Sequence, residues 1–375
     1  MEKLIRIGMD TSKSVFQLHG VDALEQPVLT KKLQRRQVIA FFKKLAPMKV
    51  GLEACGGAHH WAHELAALGH EAVLLPPQHV KAYVRRGKHD AADAEAICEA
   101  MSRKRTRFVP VKTCDQQAGQ MLAGVRDQLI RRRTQLSNAI RGYAAEFGLV
   151  AATGLAKVEP LLARLQSEDS APTLAKELFE ILGEEYRALQ RRIGKVEDKL
   201  MAFHRQDETS RRLAQVPAIG PIGATLLSIK VPDAKAFRSG RDFAAWIGLT
   251  PKNHSTAGKT RLGAITRAGD EMLRRVLVVG AMAVIQQVQR SKGEAPTWLS
   301  ELLKRKPAML AAVALANKTA RIAWKLMVTG ERYEPRPASA IMAPGSAPSR
   351  PRSAPLRGGQ RPALTAPAPS APACD

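Results

Sequence analysis

Ile5-Arg6-Ile7-Gly8-Met9-Asp10 is a short apolar run that ends in an acid, and Lys49-Val50-Gly51-Leu52-Glu53 repeats the form. Each reads as a β-strand that delivers a carboxylate to a loop. Ser14 to Val21 alternates and fits a return strand. Gly56-Gly57 breaks the chain after Glu53, and His60 to Leu68 reads as a helix closed by Gly69. Glu71-Ala72-Val73-Leu74-Leu75 is a further strand, stopped by Pro76-Pro77, and His89 to Met101 is Ala-rich and helical. Strands alternating with helices predict a layered α/β domain over residues 1–107.

The pattern then changes. Leu122, Val125, Leu129, Leu136, Ile140 and Tyr143 recur at three- and four-residue steps, as do Leu189, Ile193, Val196, Leu200 and Phe203. Two long amphipathic helices are expected within 108–212, an antiparallel coiled-coil arm or a dimer contact, joined by the segment from about Gly154 to Pro172. A mostly helical domain follows over 213–333, so the whole reads as α/β plus all-α. From 334 to 375 Pro, Ala, Ser, Gly and Arg dominate, a composition that cannot bury enough apolar surface to order itself, and a disordered tail is expected.

Charge narrows the function class. Lys and Arg total 59 against 34 Asp and Glu, a formal net charge of +25 that suits a polyanionic partner. No apolar run is long enough to span a bilayer, and the N-terminus lacks the pattern of a signal peptide, so no membrane is expected and nucleic acid is the leading partner class. Cys55, Cys98, Cys114 and Cys374 are scattered without Cys-x-x-Cys spacing, which suits a reducing cytoplasm and argues against a zinc knuckle.

Four acids are the candidates for the chemistry. If the strands ending in Asp10 and Glu53 are sheet neighbours, both carboxylates emerge at one edge. Asp90 and Asp93 lie at i, i+3 and share a helix face. Clustered carboxylates repel unless cations neutralise them, and hard oxygen ligands select Mg²⁺ or Mn²⁺. Two such ions could clamp the attacking and leaving oxygens of a phosphodiester displacement. Each acid taken singly has an ordinary explanation: Asp10 as a turn former, Glu53 as a solvated loop residue, Asp90 as the cap of the helix carrying Asp93. Jointly these explanations weaken, because the strand-acid pattern occurs twice and the Asp pair follows in the same domain. Lys81, Arg85, Arg86 and Lys88 add phosphate-binding capacity beside the acids.

A second informative stretch is Gly248-Leu249-Thr250-Pro251-Lys252-Asn253-His254-Ser255-Thr256-Ala257-Gly258-Lys259-Thr260-Arg261. Its hydroxyls are flanked by Lys259, Arg261 and Arg267. A serine oxygen can attack phosphorus where a base takes its proton and cations hold the phosphate. On these residues alone, a polar loop is the commoner explanation. Val216 to Ala224 resembles a helix-hairpin-helix turn, and an ordinary Gly-Pro interhelical turn explains it as well.

Gly8-Met9-Asp10-Thr11-Ser12-Lys13, Leu52-Glu53-Ala54-Cys55-Gly56-Gly57, Leu75-Pro76-Pro77-Gln78-His79-Val80-Lys81 and Lys88-His89-Asp90-Ala91-Ala92-Asp93-Ala94-Glu95-Ala96 together resemble the DEDD transposases of bacterial insertion sequences, described as bridge-RNA-guided serine recombinases. The resemblance runs from about Ile5 to Tyr333. It implies a RuvC-like form of the RNase H fold at the N-terminus, with Asp10, Glu53, Asp90 and Asp93 as the metal-site acids. It also implies a coiled-coil arm and a C-terminal transposase domain with a nucleophilic serine. The family's Asn/His-Ser-Ser/Thr-Gly-Gly-Lys motif puts that role on Ser255, with Thr256 as the weaker candidate. Ala257 stands where the family usually has the first Gly, which bears on the loop backbone.

The leading expectation is therefore a metal-dependent transposase that excises and inserts its own element. The resemblance further implies a structured guide RNA, a bacterial, nucleoid-associated location, and a dimer or tetramer whose composite site spans two subunits. A junction-resolving endonuclease would need the four acids but not Ser255. A noncatalytic nucleic-acid-binding scaffold would need neither.

Overall fold

The computed structural model describes residues 4–84, 90–103, 106–167, 171–256, 258–259, 261–291 and 297–334, without the side chains of Asp90 and Ser291. The predicted disordered tail beyond Glu334, and Arg85, Arg86 and Lys88, thus lie outside the described residues. The fold is mixed α/β, built on a five-stranded sheet followed by helices.

The N-terminal part comprises β1 (Arg6–Thr11), β2 (Val15–Val21), β3 (Pro27–Gln34), α1 (Val38–Phe42), β4 (Lys49–Glu53), α2 (Ala58–Ala67), β5 (Glu71–Leu75), α3 (Pro77–Lys81) and α4 (Asp90–Ser102). Strand order is β3-β2-β1-β4-β5. β1, β2 and β3 form an antiparallel meander, whereas β4 and β5 run parallel to β1. β3 is absent from the sequence reading because its residues, PVLTKKLQ, are mostly exposed or half-buried and give only a faint alternation. A tight turn makes it possible: the Asp22 carboxylate accepts from the backbone N–H groups of Leu24 and Gln26, both at 2.9 Å.

The sheet is covered on both faces. Ile7, Met9, Val50, Leu52 and Leu74 pack with Phe42, Trp61 and Leu65 of α1 and α2. On the other face Val73 and Leu75 pack with Ile97, Ala100 and Met101 of α4.

Two long helices follow, α5 (Cys114–Glu146) and α7 (Thr173–Gln206), with α6 (Val158–Ser167) between them. Thr113 caps α5, accepting from Gln116 N–H while the Gln116 side chain returns to the Thr113 N–H. The long pair packs antiparallel, as Arg126 meets Glu197 and Arg132 meets Glu185. α6 inserts Leu161, Leu162 and Leu165 into a shared core with Ile140, Phe179 and Tyr186, so the expected joining segment is itself a packed helix. Tyr143, assigned to the apolar stripe, is exposed, and Ala144 takes the buried position. Periodicity favours the larger apolar residue, while close helix approach favours alanine.

The C-terminal part contains α8 (Glu208–Leu213), α9 (Pro221–Lys230), α10 (Gly240–Trp246), β6 (Pro251–Asn253), β7 (Leu262–Ile265), α11 (Glu271–Ser291), α12 (Thr297–Arg305) and α13 (Ala308–Thr329). Ala311, Ala312, Ala316, Ala320 and Ala323 of α13 are fully buried in its core. Between α8 and α9 the turn places the Ala218 carbonyl against Gly280 of α11. Asp127 of α5 accepts from Arg275 of α11 at 2.9 Å, joining the long helix pair to this part. Among the described residues no helix is long and apolar enough to cross a membrane.

Candidate functional site

Asp10 lies near the C-terminal end of β1 and Glu53 is the last residue of β4. The strands are parallel neighbours with Met9 opposite Leu52, so both acids reach one edge of the sheet. Their faces follow from the pleat. Met9 and Leu52 enter the α1/α2 core, which turns Asp10 and Glu53 to the opposite face. That face is the one α4 covers, and Arg6 Nε donates to the Cys98 carbonyl at 3.3 Å. Because Arg6 at the start of β1 meets the later part of α4, the N-terminal end of α4 lies toward the acid-bearing edge.

Asp93 sits in the first turn of α4 and bears on Glu53. Burial pushes the Glu53 carboxyl above the usual range, and the Asp93 charge adds to the rise. Asp90 heads the same helix one turn earlier, with its side chain outside the described residues. Asp10 and Asp93 are half-buried. Among the described residues no group of three or more His, Cys, Asp or Glu is close enough to hold a metal ion. Among the described residues the edge gathers Asp10, Glu53 and Asp93 without closing them into a cage. The donor set nonetheless fits a hard divalent cation: every candidate is a carboxylate, and Glu53 is held above its usual range in part by Asp93.

This rise has a stability consequence. With the folded-state pKa raised, folding favours protonated Glu53, and stability falls as pH climbs through the ordinary and then the raised value. Glu53→Gln cannot ionise. In metal-free buffer it is expected to raise the thermal midpoint near neutral pH, and the gain should vanish below about pH 4. A lower midpoint for Glu53→Gln near neutrality would contradict the burial argument.

Ser255 sits in a structured turn rather than a plain loop. β6 and β7 pair with Pro251 opposite Ile265 and Asn253 opposite Leu262. His254 N–H donates to the Arg261 carbonyl at 2.8 Å, and Lys259 N–H to the Thr256 carbonyl at 2.9 Å. Ser255 is half-buried between exposed neighbours. Its N–H donates to Asn253 Oδ1 and its Oγ accepts from Arg261 N–H, both at 2.9 Å. That second bond fixes the oxygen while leaving the hydroxyl proton to be given up. These bonds stay within the hairpin, so they do not join Ser255 to the acids. Ala257 lies outside the described residues.

The hairpin is firmly rooted. Arg274 Nη1 donates to the carbonyls of Ile247 at 2.7 Å and Ala268 at 2.8 Å, bridging the segments that enter and leave it. Gly269, at φ 67°, leaves space for the Trp246 carbonyl, which a Cβ would approach to 1.7 Å. Arg267 holds φ 55°, a conformation that costs a non-glycine residue about 1 kcal/mol. Lys259, Arg261 and Arg267 are exposed around the hairpin, and Lys81 is exposed at the end of α3, which follows β5. The clamp role of Arg274 is invisible in sequence, where Glu271-Met272-Leu273-Arg274-Arg275 reads as an ordinary charged helix start.

Known proteins match this chain over nearly its whole described length. Residues 7–147 match an IS110-type DEDD transposase family, and residues 210–295 match the family described as Transposase IS116/IS110/IS902. The chain is 62% identical over 334 residues to the "Putative transposase y4pF/y4sB" of Sinorhizobium fredii, covering 89% of this chain and 86% of that one. It is 38% identical over 330 residues to the transposase for insertion sequence element IS1328 of Yersinia enterocolitica, covering 88% and 98%. It is 37% identical over 339 residues to the transposase for insertion sequence element IS1111A of Coxiella burnetii, covering 89% and 92%. With its strand-end acids in one matched segment and its serine hairpin in the other, the chain belongs to the IS116/IS110/IS902 family of transposases.

Proposed function

We propose that this transposase excises and inserts its own insertion sequence by strand exchange, with two divalent cations, Mg²⁺ or Mn²⁺, held by Asp10, Glu53, Asp90 and Asp93 on an RNase H-like, RuvC-like domain, and with Ser255 as the nucleophile. The observation that carries the reading is the emergence of Asp10 and Glu53 side by side at one sheet edge, with Asp93 of α4 acting on Glu53. The mixed five-stranded sheet supports the RNase H-like assignment. When bound, the cations would neutralise the acids and stabilise charge on the phosphate.

The remaining work falls to the chain. Ser255 Oγ, oriented by Arg261 N–H, attacks phosphorus and forms a serine phosphodiester. The P–O bond to the departing strand breaks, and the serine proton ends on the released sugar hydroxyl. Lys259, Arg261 and Arg267 attract the phosphate through their charge. The hydrogen bonds of Ser255 stay within its hairpin, and we infer from the family resemblance that an assembled dimer or tetramer on DNA joins it to the acids. Strand exchange by the purified chain and its Asp10→Asn and Ser255→Ala variants on element-end DNA tests this reading.

We also infer guidance by a structured noncoding RNA, which the excess positive charge would bind. The chain purified from cells carrying its element is expected to retain one RNA species encoded beside its own coding region. Recovery of only random cellular RNA would count against guidance.

A further inference from the structure

Two strands carry the same pattern, Gly8-Met9-Asp10 in β1 and Gly51-Leu52-Glu53 in β4. The register sets Gly8 opposite Gly51. The pleat puts each glycine on the same face as the acid two residues later, beneath α4. Glycine weakens a strand interior, and neither residue has the positive φ that would require it. What both positions share is lack of space. A Cβ on Gly8 would lie 2.3 Å from the Ala94 carbonyl oxygen and 2.5 Å from the Cys98 nitrogen. A Cβ on Gly51 would lie 2.7 Å from Met101 Sδ and 3.2 Å from Ile97 Cγ2. Ala94 directly follows Asp93.

We propose that Gly8 and Gly51 are positioning residues for the carboxylate site: this bare pair lets α4 sink onto the sheet and so sets how closely Asp93 approaches Asp10 and Glu53. The inference rests on the carboxylate reading above. The two glycines act unequally. Gly8 is faced by helix backbone, which cannot rotate away, so a methyl group there drives α4 outward by about 1 Å to regain normal contact. Gly51 is faced by the ends of flexible side chains, which can yield.

Mn²⁺ titrated calorimetrically into the full chain, with a crystal structure of each variant, tests this. Gly8→Ala is expected to displace α4 and weaken Mn²⁺ binding by at least about ten-fold, the loss typical when support of metal ligands is removed. Gly51→Ala should weaken it measurably but by less than Gly8→Ala, and adding Met101→Val, which removes the obstructing δ atom, should restore it. That second series carries the test if Gly8→Ala does not fold. An unmoved α4, Mn²⁺ affinity equal to the unsubstituted chain in folded Gly8→Ala, or no rescue by Met101→Val overturns the inference. Absence of Mn²⁺ binding by the unsubstituted chain would instead overturn the carboxylate reading, and this inference with it.

Discussion

Asp10→Asn is expected to lower strand exchange by at least about 10³-fold while leaving folding and DNA binding in place. The exchange is nearly isosteric, so the end of β1 keeps its pairing with Gln17 of β2. What changes is the charge and the anionic oxygen, and a carboxamide is a much poorer ligand for a hard cation than a carboxylate. A Lewis-acid contribution of several kcal/mol to phosphoryl transfer corresponds to about three orders of magnitude in rate. The measurement is recombination of element-end DNA by the purified variant, alongside circular dichroism and a DNA-binding titration. Activity equal to the unsubstituted chain would sink the proposed role of the acids. Loss of DNA binding together with activity would reassign Asp10 to the binding surface.

Ser255→Ala should be the more severe of the two, with a loss of about 10⁴-fold or more, because it removes the proposed attacking atom and not its surroundings. The structural cost is small. Oγ accepts one hydrogen bond, from the exposed residue Arg261, and water can replace it for about 1 kcal/mol or less. The hairpin root, held by Arg274 and the Thr250–Thr266 pairing, does not involve Ser255. A covalent protein–DNA adduct, trapped by denaturation during the reaction, is expected with the unsubstituted chain and with Thr256→Ala, and not with Ser255→Ala. Full strand exchange by Ser255→Ala would end the serine mechanism. Metal-dependent cleavage that survives without rejoining would point to a resolvase-type reaction run by the acids alone.

Much of the N-terminal architecture was legible in residue order. β1, β2, β4 and β5 announce themselves through apolar runs bounded by acids, glycines and prolines, and α4 through its alanines. Asp10 and Glu53 were identifiable because each ends such a run. Ser255 was not: among exposed hydroxyl and basic residues, nothing local distinguishes a nucleophile from a polar turn, and only the resemblance singled it out. Folding adds that the turn is a paired hairpin and that Arg261 N–H holds Oγ. β3 and the packed helix α6 were missed because their burial depends on partners distant in sequence.

The same division holds for the acid edge. The identity and strand-end positions of Asp10 and Glu53 are local properties, set by alternation and by where the apolar run stops. Their adjacency is not local, since it requires β1 and β4 to pair in parallel with Met9 opposite Leu52 across an intervening meander and helix. Nor is the influence of Asp93 on Glu53, which depends on how deeply α4 lies against the sheet. That depth follows from the space left by Gly8 and Gly51, which in residue order look like weak points in two strands and in the folded chain are where a helix comes to rest.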